Sequence, residues 1–375
     1  MNLDDVNVLF APLHAGALDL PNRIVMAPMT REFAPGGVNG ADKLAYYSRR
    51  AAAGVGLIIT EGTWIDVPAA GNREDVPRFH GDDALGAWGT IVDAVHQHGA
   101  RIMPQLWHVG MTREPGTGPR PDAPSQGPSG IDTQYRPASA PMTARDIEAA
   151  IDAYAAAARA AQAIGCDGVE LHAAHGYLID QFFWSRTNLR TDRYGGADLA
   201  SRTRFAVDIV REIRRRCGNA FPVSLRFSQW KYGDYSVRLF ETAGDLEAFL
   251  APLADAGVDI FHASTRHYWD EAFEGSALGL AGWARKLTGR TSIAVGSVTL
   301  RSPFDPKAST RTGELNRSMP DVHLEPLLER MARGEFDLIA LGRTLLTNPD
   351  WPQLVREGRL DELEPYDVSA RAVLY

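Results

Sequence analysis

The sequence predicts an α/β fold, a single (β/α)8 barrel, and three observations lead there. Eight short apolar runs alternate with helical patterns through most of the 375 residues. Chemistry-bearing side chains follow those runs, above all in His172-Ala173-Ala174-His175-Gly176-Tyr177, directly after Gly168-Val169-Glu170-Leu171. The Gly-x-Gly-x-x-Gly turn of a doubly wound sheet is missing, because Gly54-Val55-Gly56 precedes a strand and lacks the third glycine. Alternation of this kind implies parallel strands with crossover helices, and eight units imply closure.

In order, the expected strands span 23–27, 55–60, 101–106, 168–172, 223–227, 259–264, 292–296 and 338–341. The first is followed by an amphipathic stretch at 41–53, the second by 84–98, and the third by the Ala-rich 145–164. Stretches 200–217, 243–256, 280–287 and 321–332 follow the fourth to seventh strands. Two irregular segments interrupt the pattern. Residues 110–141, rich in Pro, Gly and Ser, follow the third strand and so belong to the catalytic face of a barrel. Residues 300–319 follow the seventh and carry Arg301, Lys307, Arg311 and Arg317. No internal repeat beyond the βα unit and no linker divides residues 1–375, which are expected to form one domain.

Composition narrows the function. A hydrophobic fraction of 45% suffices for a large core, and a net charge of −8 argues against nucleic acid or an anionic membrane as partner. The N-terminus lacks a basic-then-apolar signal, and no apolar run approaches the length of a membrane span. A soluble, cytoplasmic protein is expected. Cys166 and Cys217 are the only cysteines, too few for a disulfide framework or an iron–sulfur cluster within one chain.

Strand ends are where a barrel keeps its catalytic groups. His172 and His175 supply two ring donors for a carbonyl oxygen gaining charge, and Tyr177 a phenol that delivers a proton. Read alone, they are equally a pair of structural histidines. A metal site is not expected: the helical His-Glu-x-x-His pattern is absent, and no acidic or Cys cluster lies nearby in sequence. Gly296-Ser297 and Gly342-Arg343, after the seventh and eighth strands, suit a phosphate held by loop amides and a guanidinium fork. Arg226, inside Val223-Ser224-Leu225-Arg226-Phe227, is costly in a buried strand unless an anionic group meets it.

Seven segments in order resemble the Old Yellow Enzyme family of FMN-dependent ene-reductases, over nearly the whole chain. They are Asn22-Arg23-Ile24-Val25-Met26-Ala27-Pro28-Met29-Thr30, Gly56-Leu57-Ile58-Ile59-Thr60-Glu61-Gly62-Thr63 and Gln105-Leu106-Trp107-His108-Val109-Gly110. The run His172 to Tyr177, Asn188-Leu189-Arg190-Thr191-Asp192-Arg193-Tyr194-Gly195-Gly196, Arg226, and Ala340-Leu341-Gly342-Arg343 complete the set. The resemblance implies noncovalent FMN. Pro28, Met29 and Thr30 would lie under its ring, with Thr30 donating to O4. Gln105 would meet the pyrimidine edge, Gly62 would stand for a small residue near the ring, and Arg226 would face the N1/C2 carbonyl edge. It further implies ping-pong kinetics, in which NADH or NADPH is oxidised first and an α,β-unsaturated carbonyl compound is reduced next. His172 and His175 would hold the carbonyl oxygen, and Tyr177 would protonate the α-carbon. Tyr268 and Trp269, in the loop after the sixth strand, are expected to wall the substrate pocket.

Other readings stay open at this stage. Isomerisation or a specialised biosynthetic step could use the same flavin site. Multidomain relatives that add an iron–sulfur cluster are not expected, given two cysteines and a chain that ends just past the barrel. A flavin-free barrel lyase would want a strand-end lysine, and Lys43, Lys231, Lys286 and Lys307 lie outside the expected strands. The natural enone, the NADH or NADPH preference, and whether the chain forms a homo-oligomer are not legible.

Overall fold

A computed structural model describes residues 6–231, 234–301 and 318–375. Among the strands, a short antiparallel hairpin, β1 (Leu13–Ala15) and β2 (Leu18–Leu20), comes first. Eight parallel strands follow: β3 (Ile24–Met26), β4 (Leu57–Trp64), β5 (Arg101–Trp107), β6 (Val169–His172), β7 (Val223–Ser228), β8 (Ile260–Ser264), β9 (Thr291–Val295) and β10 (Leu338–Leu341). They form a closed barrel in the order β10-β3-β4-β5-β6-β7-β8-β9. The expected eight-stranded barrel is the observed fold. The hairpin was not expected, and its role is clear from packing: Ala15, Leu18 and Leu20 join Val25, Leu57, Met103, Ile260, Ile293 and Leu338 in one buried cluster. It plugs the N-terminal end of the barrel with apolar surface, leaving polar side chains to the other end.

A helix follows each of the first seven barrel strands: Ala41–Ala52, Asp82–Gln97, Ala144–Ala163, Arg204–Cys217, Ala243–Ala256, Leu280–Thr288 and Glu325–Ala332. Two of them start with reciprocal capping boxes, Thr143 with Asp146 and Thr242 with Asp245, which satisfy orphan N–H groups of the first turn. The expected helix at 321–332 begins only at Glu325, because Pro326 lacks an N–H and fits the first helical turn. The stretch expected at 200–217 is interrupted at Thr203, separating Leu199–Arg202 from Arg204–Cys217. Among the described residues, no helix is long and apolar enough to cross a membrane.

One irregularity shapes the site. Pro104 sits inside β5, where it cannot donate to a ladder. Opposite it, the β4–β5 register shifts between Ile59 and Gly62, and the Gln105 N–H is accepted by Thr60 Oγ1 at 3.2 Å. This bulge carries β4 on to Trp64, beyond its expected end at residue 60, and turns Glu61 toward neighbouring loops. Glu61 accepts the Arg31 N–H at 3.0 Å and pairs with the buried Lys43 ammonium. The segment after β3 is thereby fixed to the top of β4.

Barrel closure is locked from outside by Arg50, whose fully buried guanidinium donates to Leu345 O at 2.6 and 3.0 Å and to Tyr46 O at 2.8 Å. It ties the first helix to the turn after β10. Arg50→Met should strand the buried Leu345 carbonyl and lower stability by about 1–3 kcal/mol, read as a reduced urea midpoint. An unchanged midpoint would show that this carbonyl finds another donor.

Candidate active site

A cavity of about 1060 Å³ opens at the C-terminal end of the barrel. Its wall takes Pro28, Met29 and Thr30 after β3, Trp107 at the end of β5, and His175 and Tyr177 after β6. Arg226 and Trp230 enter from β7 and its loop, Gly296 and Ser297 follow β9, and Gly342 and Arg343 follow β10. The long 110–141 segment contributes Ile131, Asp132, Thr133 and Tyr135, as expected for a loop on this face.

The turn carrying His175 is backbone-strained. His175 has φ +65° and Gly176 φ +84°, the left-handed region that non-glycine residues enter at a cost. Side chains hold it there. Ser228 Oγ accepts the His175 N–H at 3.0 Å, and Asp180 Oδ2 accepts the Gly176 N–H at 2.5 Å. Gln181 Nε2 donates to Gly176 O at 2.7 Å. Lys231, whose ammonium lies 2.5 Å from Asp180 Oδ1, completes the clamp. Burial raises the Asp180 carboxyl, opposed by Lys231, and burial lowers the Lys231 ammonium, opposed by Asp180. Tyr177 then starts the short helix Leu178–Phe183.

His175 stacks on Trp230 with ring centroids 4.2 Å apart, and its Nε2 lies 2.8 Å from Ser264 Oγ. His172 lies just behind the wall, 5.2 Å from His175 and 4.8 Å from Tyr177 between ring centroids. Burial, reinforced by the Arg226 charge, holds both histidines well below the usual range, so both rings are neutral at neutral pH. Trp107 leans across with its ring 4.8 Å from Tyr177. That position requires Gly62, since a Cβ there would meet Trp107 at 2.3 Å.

Beneath the cavity floor the barrel interior is polar. Burial brings the Arg226 guanidinium down to about 10, so it stays cationic, and its Nε has no protein partner. Gln105 Nε2 donates to the buried Glu170 at 2.9 Å, and Gln105 is not among the residues that line the cavity. Arg343 Nη2 lies 3.5 Å from Ser297 Oγ, and burial lowers it to about 10. Gly296 has φ +142°, and a Cβ there would meet Thr265 O at 2.7 Å, so the chain passes closely at this turn. These groups fit a flat ring with an anionic tail: a buried cation to one side whose Nε has no protein partner, and a glycine turn with a guanidinium at one end.

Of the residues singled out in the sequence, His172, Gly62 and Gln105 thus stand behind the wall. Tyr268 and Trp269 do not reach it. Tyr268 is buried against Phe336, and Trp269 stacks on His267 at the surface, because the loop turns outward after Arg266. Tyr235 and Arg266 occupy that side of the cavity, the guanidinium 4.1 Å above the Tyr235 ring. Lys231, set aside in the sequence for lying outside a strand, is in the wall but is held by Asp180. Asp180 and Gln181 were missed, although their spacing from Tyr177 within one helical turn was the available signal. Tyr366 and Arg371, from the end of the described chain, had none. Lys307, Arg311 and Arg317 lie outside the described residues. Among the described residues no group of three or more His, Cys, Asp or Glu is placed to hold a metal ion.

Residues 8–313 match the profile of the NADH:flavin oxidoreductase / NADH oxidase family. The chain is 34% identical to the NADH oxidase of Thermoanaerobacter brockii over 95% of its own length, and spans about half (52%) of that protein. It is 33% identical to the putative 12-oxophytodienoate reductase 2 of Oryza sativa subsp. japonica, covering 96% of this chain and 89% of the rice protein. The structure of morphinone reductase in complex with tetrahydroNAD superposes with a TM-score of 0.78 at 28% identity, covering 97% and 93% of the two chains.

The clamp on the strained turn is open to test. Asp180→Asn leaves the Lys231 ammonium buried without its counter-charge, and should lower stability by about 3–5 kcal/mol. Chemical unfolding would measure this, and a loss below about 1 kcal/mol would show that Lys231 reaches solvent when released.

Proposed function

The chain belongs to the NADH:flavin oxidoreductase / NADH oxidase family, the Old Yellow Enzyme family, and from this premise we propose that it reduces the activated C=C bond of α,β-unsaturated carbonyl compounds, using FMN and NAD(P)H. The observation that supports this reading is one cavity wall shared by His175, Tyr177, Arg226, Gly296, Ser297 and Arg343. When bound, FMN supplies hydride transfer between the nicotinamide and the β-carbon of the alkene. Arg343, Gly296 and Ser297 would hold its phosphate, Pro28, Met29 and Thr30 would pack on its ring, and Arg226 would meet its electron-rich edge.

What the protein's own residues do follows from their protonation. As neutral imidazoles, His172 and His175 each have one N–H to offer. Ser264 Oγ accepts from Arg226 Nη2 at 3.3 Å and lies 2.8 Å from His175 Nε2; with the hydroxyl hydrogen donated to that nitrogen, His175 offers its Nδ1–H. His172 stands behind the wall with its Nδ1 buried and without a protein partner, so the donor it would turn toward a carbonyl oxygen is Nε2–H. Two such donors polarise a carbonyl oxygen without a proton being moved to it. Tyr177 delivers the proton to the α-carbon, and Trp107, packed on its ring, keeps the phenol in place. A strained turn over-determined by four side chains serves this directly, since proton transfer needs a donor fixed within hydrogen-bond reach.

Two measurements check this reading. The purified protein should be yellow and should release FMN, not FAD, on heating; Arg343→Ala should lose about 1.5–3 kcal/mol of FMN affinity. A colourless protein that takes up no FMN would reject the reading, and full affinity in the variant would reject Arg343 as a phosphate ligand. In stopped flow, Tyr177→Phe should leave the half-reaction with NAD(P)H nearly intact and slow the half-reaction with an enone by ~10²–10⁴. Equal slowing of both would make Tyr177 a structural residue.

A further inference from the structure

We propose that Glu170 is the counter-charge of Arg226 inside the barrel and that it sets how strongly bound flavin holds its electrons. This rests on the flavin reading above. It concerns a carboxylate which that reading does not use.

Glu170 on β6 is fully buried, pointing into the barrel rather than toward the helices. Register places Glu170 beside Ser224 on β7, and His172 beside Arg226 two residues further along. Arg226 in turn pairs in register with His262 on β8. Because side chains alternate along a strand, Ser224 and Arg226 share the inward face. Glu170 therefore occupies the layer directly below Arg226. A buried carboxylate is tolerated only when hydrogen-bonded and balanced in charge. Gln105 Nε2 donates to it at 2.9 Å, Ser224 Oγ at 3.0 Å, and His262 Nδ1 lies 2.8 Å away. Three neighbouring strands thus each supply one group to hold this single carboxylate.

Arg226 supplies the charge balance without touching it: among the described residues no carboxylate lies within ion-pair distance of Arg226, whose Nε stays unpartnered. The cation consequently faces the cavity, while its counter-charge sits one layer behind. Burial works against the charged carboxyl, while His262, Arg226 and Gln105 favour it, and Glu170 titrates below the usual range; burial also lowers the His262 imidazole, which leaves Arg226 as the cation that balances Glu170 at neutral pH. A ring whose edge meets Arg226 would then feel a cation reduced by the field of the anion beneath. Reduction places negative charge on that ring, so the carboxylate opposes it. Glu170 is a positioning residue in this sense. It meets neither substrate nor flavin, and it acts by adjusting the field of the residue that does.

The test is the midpoint potential of bound FMN, measured by anaerobic dye-equilibrated titration of the holoenzyme. Glu170→Gln keeps the shape and removes the charge, and should shift the reduction equilibrium toward reduced flavin by about tenfold, or about 30 mV for a two-electron couple. Glu170→Asp disturbs packing more but keeps the charge, and should remain near the wild-type potential. Glu170→Ala also removes the charge and opens room for water to meet Gln105 and Ser224; it should move the potential the same way and serves if Glu170→Gln fails to fold. An unmoved potential in a flavin-loaded Glu170→Gln or Glu170→Ala protein would overturn the inference. So would equal shifts in the Gln and Asp variants. Failure of the wild-type chain to bind FMN would overturn the flavin reading first, and this inference with it.

Discussion

Pairing of the first barrel strand with the last is the constraint from which the rest of this molecule follows. Ile339, Ala340 and Leu341 of β10 align with Ile24, Val25 and Met26 of β3, and that contact leaves no free edge among the eight strands. Closure brings residues some 300 positions apart in the chain to one rim. Met29 Sδ comes within 3.5 Å of where a Cβ on Gly342 would stand, so the loops after the first and last strands form one continuous floor. The same closure makes the interior a shared volume, in which any charge on one strand must be answered from another.

Three buried carboxylates answer that requirement at and below the rim, and each also fixes a piece of the site. Glu61, exposed to its neighbours by the bulge opposite Pro104, binds Lys43 and the backbone of Arg31. Asp180 binds Lys231 and the backbone of Gly176. Glu170 draws groups from β5, β7 and β8. Removing one partner of such a pair is far more damaging than the pair is stabilising, because it leaves a buried charge unmatched. Loops anchored in this way tolerate little displacement. That rigidity suits catalytic groups which must be held to fractions of an ångström.

The fold and the outline of the site were legible in the sequence for a local reason. Buried parallel strands are short apolar runs, and the helices between them have their own period, so the eight units could be marked in order. Side chains such as His175, Tyr177, Arg226 and Arg343 could be placed at strand ends because a barrel directs every strand C-terminus to one face. The hairpin Leu13–Ala15 with Leu18–Leu20 escaped notice because three-residue strands carry no periodic signal. Residues 321–324 were absorbed into a helix that Pro326 does not allow to start so early.

Which residues face the cavity was decided only by tertiary packing. Gln105 bears an amide suited to a ligand, and its Nε2 is held by Glu170, a partner 65 positions away. Tyr268 and Trp269 follow a barrel strand as Trp230 does, but their loop bends outward and Arg266 and Tyr235 take their place. Gly62 is small because Trp107 lies on it, a fact no property of either residue announces. Sequence by itself determined the number and order of βα units and the chemical groups at their ends, since both depend on neighbours along the chain. Side-chain direction and charge partnership depend on neighbours across the barrel, and these exist only once the last strand has met the first.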